Sequence, residues 1–122
     1  MNTSLWGPSG WVFLHTLTFN YPDNPSSKDK KIYKEYFTKT GDILPCKYCR
    51  ESYKEFIKEL PIEPALESRD LLTKWFYDIH NKVNKKLRKQ GLLSKKNPSF
   101  KNICLKYDKM RAKCSSIKHT CK

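Results

Sequence analysis

Cys46-Lys47-Tyr48-Cys49 is the tetrapeptide of this chain best suited to chemistry. Pro45, just before it, restarts a helix there, so the first thiol falls at a helix N-terminus. Unpaired backbone N–H groups and the positive end of the helix dipole favour thiolate over thiol at such a place. Lys47 and Arg50 add positive field. Cysteines three apart on a helix lie one turn from each other, within bridging range. The chemistry this predicts is a redox-active disulfide. The competing reading is half of a zinc site, which needs a second pair at CxxC or HxxxH spacing; Cys104, Cys114, His119 and Cys121 do not supply one. A thioredoxin-type motif needs a strand before it inside a βαβ unit, and this chain has no such pattern.

A second group is His80-Asn81-Lys82-Val83-Asn84-Lys85-Lys86-Leu87. His80 and Asn84 are one helical turn apart, so a stacking ring and a carboxamide face one pocket with basic residues beside them. That suits an aromatic ligand bearing phosphate. Trp11 and His15 repeat the arrangement near the N-terminus. For any one of these residues alone, core packing is the ordinary outcome.

Helices must position both groups, because apolar residues recur at three and four and strict alternation is absent. The fold class expected is all-α. Pro8 opens a first helix over about Ser9 to Phe19, ended by the Tyr21-Pro22-Asp23-Asn24-Pro25 turn. Ser26 and Asp29 form a capping box for a second, whose buried face is Ile32, Tyr33, Tyr36, Phe37 and Leu44, with Gly41 weakening its last turn. The third starts at Cys46, carries Tyr53, Phe56, Ile57 and Leu60, and stops at Pro61 and Pro64. The fourth, about Asp70 to Lys89, buries Leu72, Trp75, Phe76, Ile79, Val83 and Leu87, turns Lys82, Lys85, Lys86 and Arg88 outward, and closes at Gly91. A fifth, from Ser99 to about Lys113, presents Phe100, Ile103, Tyr107 and Met110 before a Cys-containing tail at about 114–122.

The whole chain of 122 residues makes one domain. With 38% hydrophobic and 13% aromatic residues it can build a core, which excludes a disordered tail. No apolar run reaches the length of a membrane span, and no basic flank leads an apolar stretch at the N-terminus, so neither a span nor a targeting signal is expected. A cytoplasmic location follows, in a host cytoplasm or virion if the source is viral; the alternative is the mitochondrial intermembrane space. Five cysteines are many for such a chain and favour redox or metal chemistry. The net charge of +13 favours anionic partners and motivates a second reading, a basic helical nucleic-acid-binding module without catalysis. Its basic residues, however, are spread over nearly every helix, and it leaves Cys46 and Cys49 idle.

Taken in order, Trp11-x3-His15-Thr16, the Tyr21-Pro22-Asp23 turn, Pro45-Cys46-Lys47-Tyr48-Cys49 and the His80 to Leu87 segment resemble the Erv/ALR family of FAD-linked sulfhydryl oxidases. The resemblance spans about residues 6 to 89, more loosely to 121, and is closest to minimal forms of large DNA viruses. It implies a four-helix bundle plus a short fifth helix with FAD bound between helices, usually as a homodimer. It implies Cys49 as the flavin-proximal thiolate and Cys46 as the sulfur that exchanges with substrate. Trp11, His15, His80, Asn81, Val83, Asn84, Lys86 and Leu87 would line the cofactor site, with Lys89 and Tyr107 as lesser candidates. Electrons would pass from a thiol-containing protein, directly or through a thioredoxin-like relay, to O2, giving hydrogen peroxide. The separation of Cys104 from Cys121, sixteen residues, matches the family's structural disulfide, although Cys104 lies further beyond the fourth helix than is usual. Pairing of Cys114 with Cys104 or Cys121, as a shuttle, stays open.

Overall fold

The computed structural model describes residues 1–111, and all regular structure among them is helical. Five α-helices run over Thr3–Phe19 (α1), Ser27–Ile43 (α2), Lys47–Glu59 (α3), Arg69–Lys89 (α4) and Phe100–Asp108 (α5), with a 3₁₀ turn at Glu63–Glu67. The first four form a bundle in which α4 packs on α1 and α3, α2 packs on α3, and α5 leans on α1. No helix among the described residues is long and apolar enough to cross a membrane.

Side chains at the helix starts satisfy orphan backbone donors. Ser26 and Asp29 make the expected capping box, Ser68 Oγ accepts from the Leu71 N–H, and Ser99 Oγ accepts from the Asn102 N–H. Gly91, with φ +71°, follows the C-cap of α4 in the left-handed conformation that glycine adopts without strain. Tyr21, Phe37, Leu72, Phe76 and Ile79 are fully buried at the centre. Buried polar tips are spent on backbone carbonyls: Tyr53 on Phe37 at 2.6 Å, Tyr21 on Leu66 at 2.7 Å, Trp75 Nε1 on Leu60 at 2.8 Å.

Three expectations need correction. Helix α1 begins at Thr3, six residues before Ser9, because Asn2 Oδ1 caps the Ser4 N–H and Pro8 is carried inside the helix. Only one ladder bond, to the Ser4 carbonyl, is forfeited. On α2, Ile32 and Tyr36 are 50% and 41% exposed, because the face turned inward is Tyr33, Phe37, Thr40 and Gly41. Helix α3 ends at Glu59, just before Pro61, as expected, and Pro64 sits in the first turn of the 3₁₀ segment, where its missing N–H costs nothing. Helix α5 ends at Asp108 rather than near Lys113, with a turn at 109–110.

Candidate functional site

The start of α3 is built on Cys46 itself. Cys46 is the N-cap, and its sulfur accepts from the Cys49 N–H at 3.3 Å. Arg50 Nη1 donates to the Leu44 carbonyl at 2.5 Å and so pins the turn leading into the cysteines. The two sulfurs differ. A hydrogen bond from the Cys49 thiol, followed by backbone N–H groups of Cys49 and Tyr48 and the Thr3 hydroxyl, holds the Cys46 thiol below its ordinary value. Burial pushes the Cys49 thiol up, as do its hydrogen bond to Cys46 and the charge there, while Thr3 and Lys86 oppose the rise. In the dithiol form the first proton to leave is therefore that of Cys46.

Cys49, unlike Cys46, also lines an apolar cleft between α1, α3, α4 and the end of α2, where Thr40 and Leu44 contribute; it encloses about 930 Å³ counting its open mouth. One wall is a stripe of α1, namely Thr3, Trp6, Gly7, Gly10, Trp11 and Leu14, spaced by three and four. The facing wall carries Tyr48, Ser52, Tyr53 and Phe56 of α3, and Phe76, Val83, Lys86 and Leu87 of α4. Lys86 Nζ donates to Ser52 Oγ, placing a cation at the rim near Cys49.

Of the residues singled out from sequence, the cleft brings together Trp11, Val83, Lys86 and Leu87 with Cys49. His80 stacks face to face on Trp11, with ring centres 3.6 Å apart and planes within 6°. His15 lies behind them, 2% exposed, with Nε2 3.0 Å from His80 Nδ1. Burial lowers the His15 pKa to about 3, helped by His80 and Lys106, and lowers that of His80 to about 4, helped by Lys106, so both rings are neutral near pH 7. Tyr107 of α5 closes over His15 with ring centres 5.2 Å apart. Asn81 is half-buried on α4, and Lys89 is exposed at its end. The Asn84 carboxamide donates to Asn97 Oδ1 at 3.1 Å, on the side of the loop before α5. Cys104 is half-buried on α5; Cys114 and Cys121, and with them every pairing considered for the tail, lie outside the described residues. Among the described residues no three His, Cys, Asp or Glu side chains are grouped to hold a metal.

Sequence reasoning missed Thr3, Trp6 and Gly7 because it started α1 too late, and Gly10 because a residue without a side chain gave no sign of lining a site. Continuing the Trp11 and Leu14 stripe backwards by threes and fours finds all four.

Residues 8–104 match the Erv1/Alr family model. The chain is 40% identical over 85 residues to a probable FAD-linked sulfhydryl oxidase of Acanthamoeba polyphaga mimivirus, an alignment covering 69% of this chain and 59% of that one. It is 39% identical over 83 residues to the mitochondrial FAD-linked sulfhydryl oxidase ERV1 of Saccharomyces cerevisiae, covering 68% of this chain and 43% of the relative. The matched part is thus under two thirds of either relative's length. The crystal structure of the FAD binding domain of Erv1 from Saccharomyces cerevisiae is similar with a TM-score of 0.78 at 30% identity, covering 89% of this chain and 96% of that one.

Proposed function

Since the chain belongs to the Erv1/Alr family, we propose that it is an FAD-linked sulfhydryl oxidase that forms disulfide bonds in thiol-containing proteins and passes the electrons to O2. The observation that carries this reading is the placement of Cys49 in the wall of the cleft while its partner Cys46 stands outside it. One sulfur can meet a substrate and the other a cofactor.

The cleft fits FAD by its own chemistry. Gly7 and Gly10 leave an α1 wall without side chains at two successive turns, the indole N–H of Trp6 is buried with no partner among the described residues, and Lys86 supplies positive charge at the rim. Trp11, Val83, Lys86 and Leu87 would contact the cofactor, and His80, Asn81 and Asn84 would complete the site from α4. His15 would support His80 from behind. When bound, FAD accepts the electron pair of a dithiol and returns it to oxygen, which leaves as hydrogen peroxide.

The protein steps are thiol–disulfide exchange. A substrate thiolate attacks the Cys46 sulfur of the oxidised pair; the Cys46–Cys49 bond breaks and its electron pair leaves on Cys49. A second substrate thiolate attacks the mixed disulfide, releasing the substrate disulfide and Cys46 as thiolate. The pair has gained two electrons and the substrate has lost two electrons and two protons; one proton is taken up by Cys49, as burial requires, and the other passes to solvent, leaving Cys46 as thiolate. Loss of the Cys49 proton sets that sulfur up to face the cofactor as thiolate.

Cys46→Ser and Cys49→Ser are each expected to abolish oxygen consumption with a dithiol while the yellow flavin spectrum is retained. Oxidase turnover in both single variants would overturn the assignment. A homodimer, a thioredoxin-like relay and a Cys104–Cys121 staple belong to the same proposal, the last to be tested by peptide mapping without reductant. So does a cytoplasmic or virion location, with a mitochondrial one, as in the yeast relative's name, as the alternative. The relatives lend no support to a nucleic-acid-binding module.

A further inference from the structure

The cleft contains a hydrogen-bond donor with nothing to donate to. Trp6 Nε1 is buried and has no partner among the described residues, whereas the other deeply placed indole, Trp75, is spent on the Leu60 carbonyl at 2.8 Å. An indole nitrogen only donates. Native structures rarely leave such a buried N–H without an acceptor. Trp6 also belongs to the cleft wall, one turn before Gly10, and Gly10 makes room for it: a Cβ at Gly10 would stand 3.4 Å from Trp6 Cε3.

Its place along the cleft narrows the acceptor. At a rise of about 1.5 Å per residue, Trp6 is about 4.5 Å along α1 from Thr3 and about 7.5 Å short of Trp11. The Thr3 hydroxyl reaches both sulfurs, and Trp11 carries the His80 stack. The unspent donor therefore stands toward the sulfur end of the cleft, where the electron-accepting part of a cofactor has to lie.

We propose that Trp6 is a cofactor-binding residue, its Nε1–H donating to an acceptor on the edge of the flavin ring system, a ring nitrogen or a carbonyl oxygen. The assignment rests on the FAD reading above and adds the contact that orients the ring beside Cys49.

Trp6→Phe keeps a six-membered aromatic ring and removes the pyrrole part of the indole together with its N–H, so the indole signal of the wild-type protein is read beside it. With FAD titrated into the apoprotein, the dissociation constant of this variant is expected to rise about tenfold, the order of one lost buried hydrogen bond. Its circular dichroism should be unchanged. In uniformly ¹⁵N-labelled wild-type protein, the indole signal of Trp6 should shift on adding FAD and become protected from solvent exchange, while that of Trp75 stays in place. If Trp6→Phe fails to fold, that signal is assigned by elimination with Trp11→Phe and Trp75→Phe, and it decides alone. FAD binding with an unmoved Trp6 signal, or with equal affinity in the folded variant, overturns the Trp6 assignment only. Wild-type protein that binds no FAD overturns the oxidase reading, and the Trp6 contact with it.

Discussion

A single hydroxyl serves two sulfurs. Thr3, the first residue of α1, hydrogen-bonds toward both Cys46 and Cys49 and lowers the pKa of each. It has one proton to give, so it stabilises whichever sulfur carries the charge. Thr3→Val preserves the shape and removes that donor. Alkylation of the reduced pair by iodoacetamide near neutral pH is expected to slow roughly threefold, a modest factor because solvent competes for half-buried groups. Thr3→Ser should restore the rate, whereas a merely steric role would leave the pH dependence of alkylation the same in Thr3→Val. The chemistry of Cys46 and Cys49 was legible in the sequence because Pro45 and the one-turn spacing act locally. The role of Thr3 was not, since more than forty residues of chain separate it from the sulfurs, and only the packing of α1 beside α3 brings them together.

Between elements, α2 approaches α3 closely at Gly41. A Cβ there would lie 3.0 Å from Tyr53 Cδ1 and 3.1 Å from Lys54 Cγ. Lys54 can swing away, but Tyr53 is 4% exposed and tied by its hydroxyl to Phe37. Gly41→Ala gains up to about 1 kcal/mol in helix propensity and loses more to overpacking, typically about 1–3 kcal/mol. The net expectation is a loss of about 1 kcal/mol, read in denaturant melts as a lower midpoint at unchanged slope. Stability equal to or above that of wild type would show that Tyr53 can yield. Sequence periodicity located α2 and α4 well, because caps and stripes are local signals. It mistook the buried face of α2: Ile32 and Tyr36 are as apolar as Tyr33 and Phe37, and only the direction of approach of α3 and α4 decides which pair is covered. Gly41 likewise reads in sequence as a weak helix residue, when its value is the space it leaves for Tyr53.

For the molecule as a whole, the buried pair His15 and His80 couples stability to pH. His15 sits among Trp11, Phe76 and Tyr107, His80 stacks on Trp11, and Lys106 is the nearby charge of both. Unfolded, each ring titrates near 6.5; folded, they titrate at about 3 and about 4. Between these values the unfolded chain binds more protons than the folded one. The stability held by keeping the rings neutral is whole above pH 6.5 and is lost progressively as the pH falls through about 4 and then about 3. Melting temperature should decline steeply between pH 6 and 4, and the double variant His15→Gln/His80→Gln should show a flatter profile, even though it is less stable at pH 7. An undiminished slope in that variant would place the acid sensitivity elsewhere.

The cleft wall supplied by α1 has a consequence for motion. One helix contributes six of the lining residues, from Thr3 to Leu14, along most of its length. A molecule seated there would be its principal neighbour on that side, so occupancy and the closing of α1 onto the bundle become one event. Backbone amides of α1 should exchange with deuterium about tenfold or more slower once FAD is bound. Those in the first half of α2, away from the Thr40 and Leu44 end that touches the cleft, should change little. Flavin content would then be recorded in the opening rate of a single helix, and uniform slowing across α1 and α2 alike would show instead that the bundle opens only as a whole.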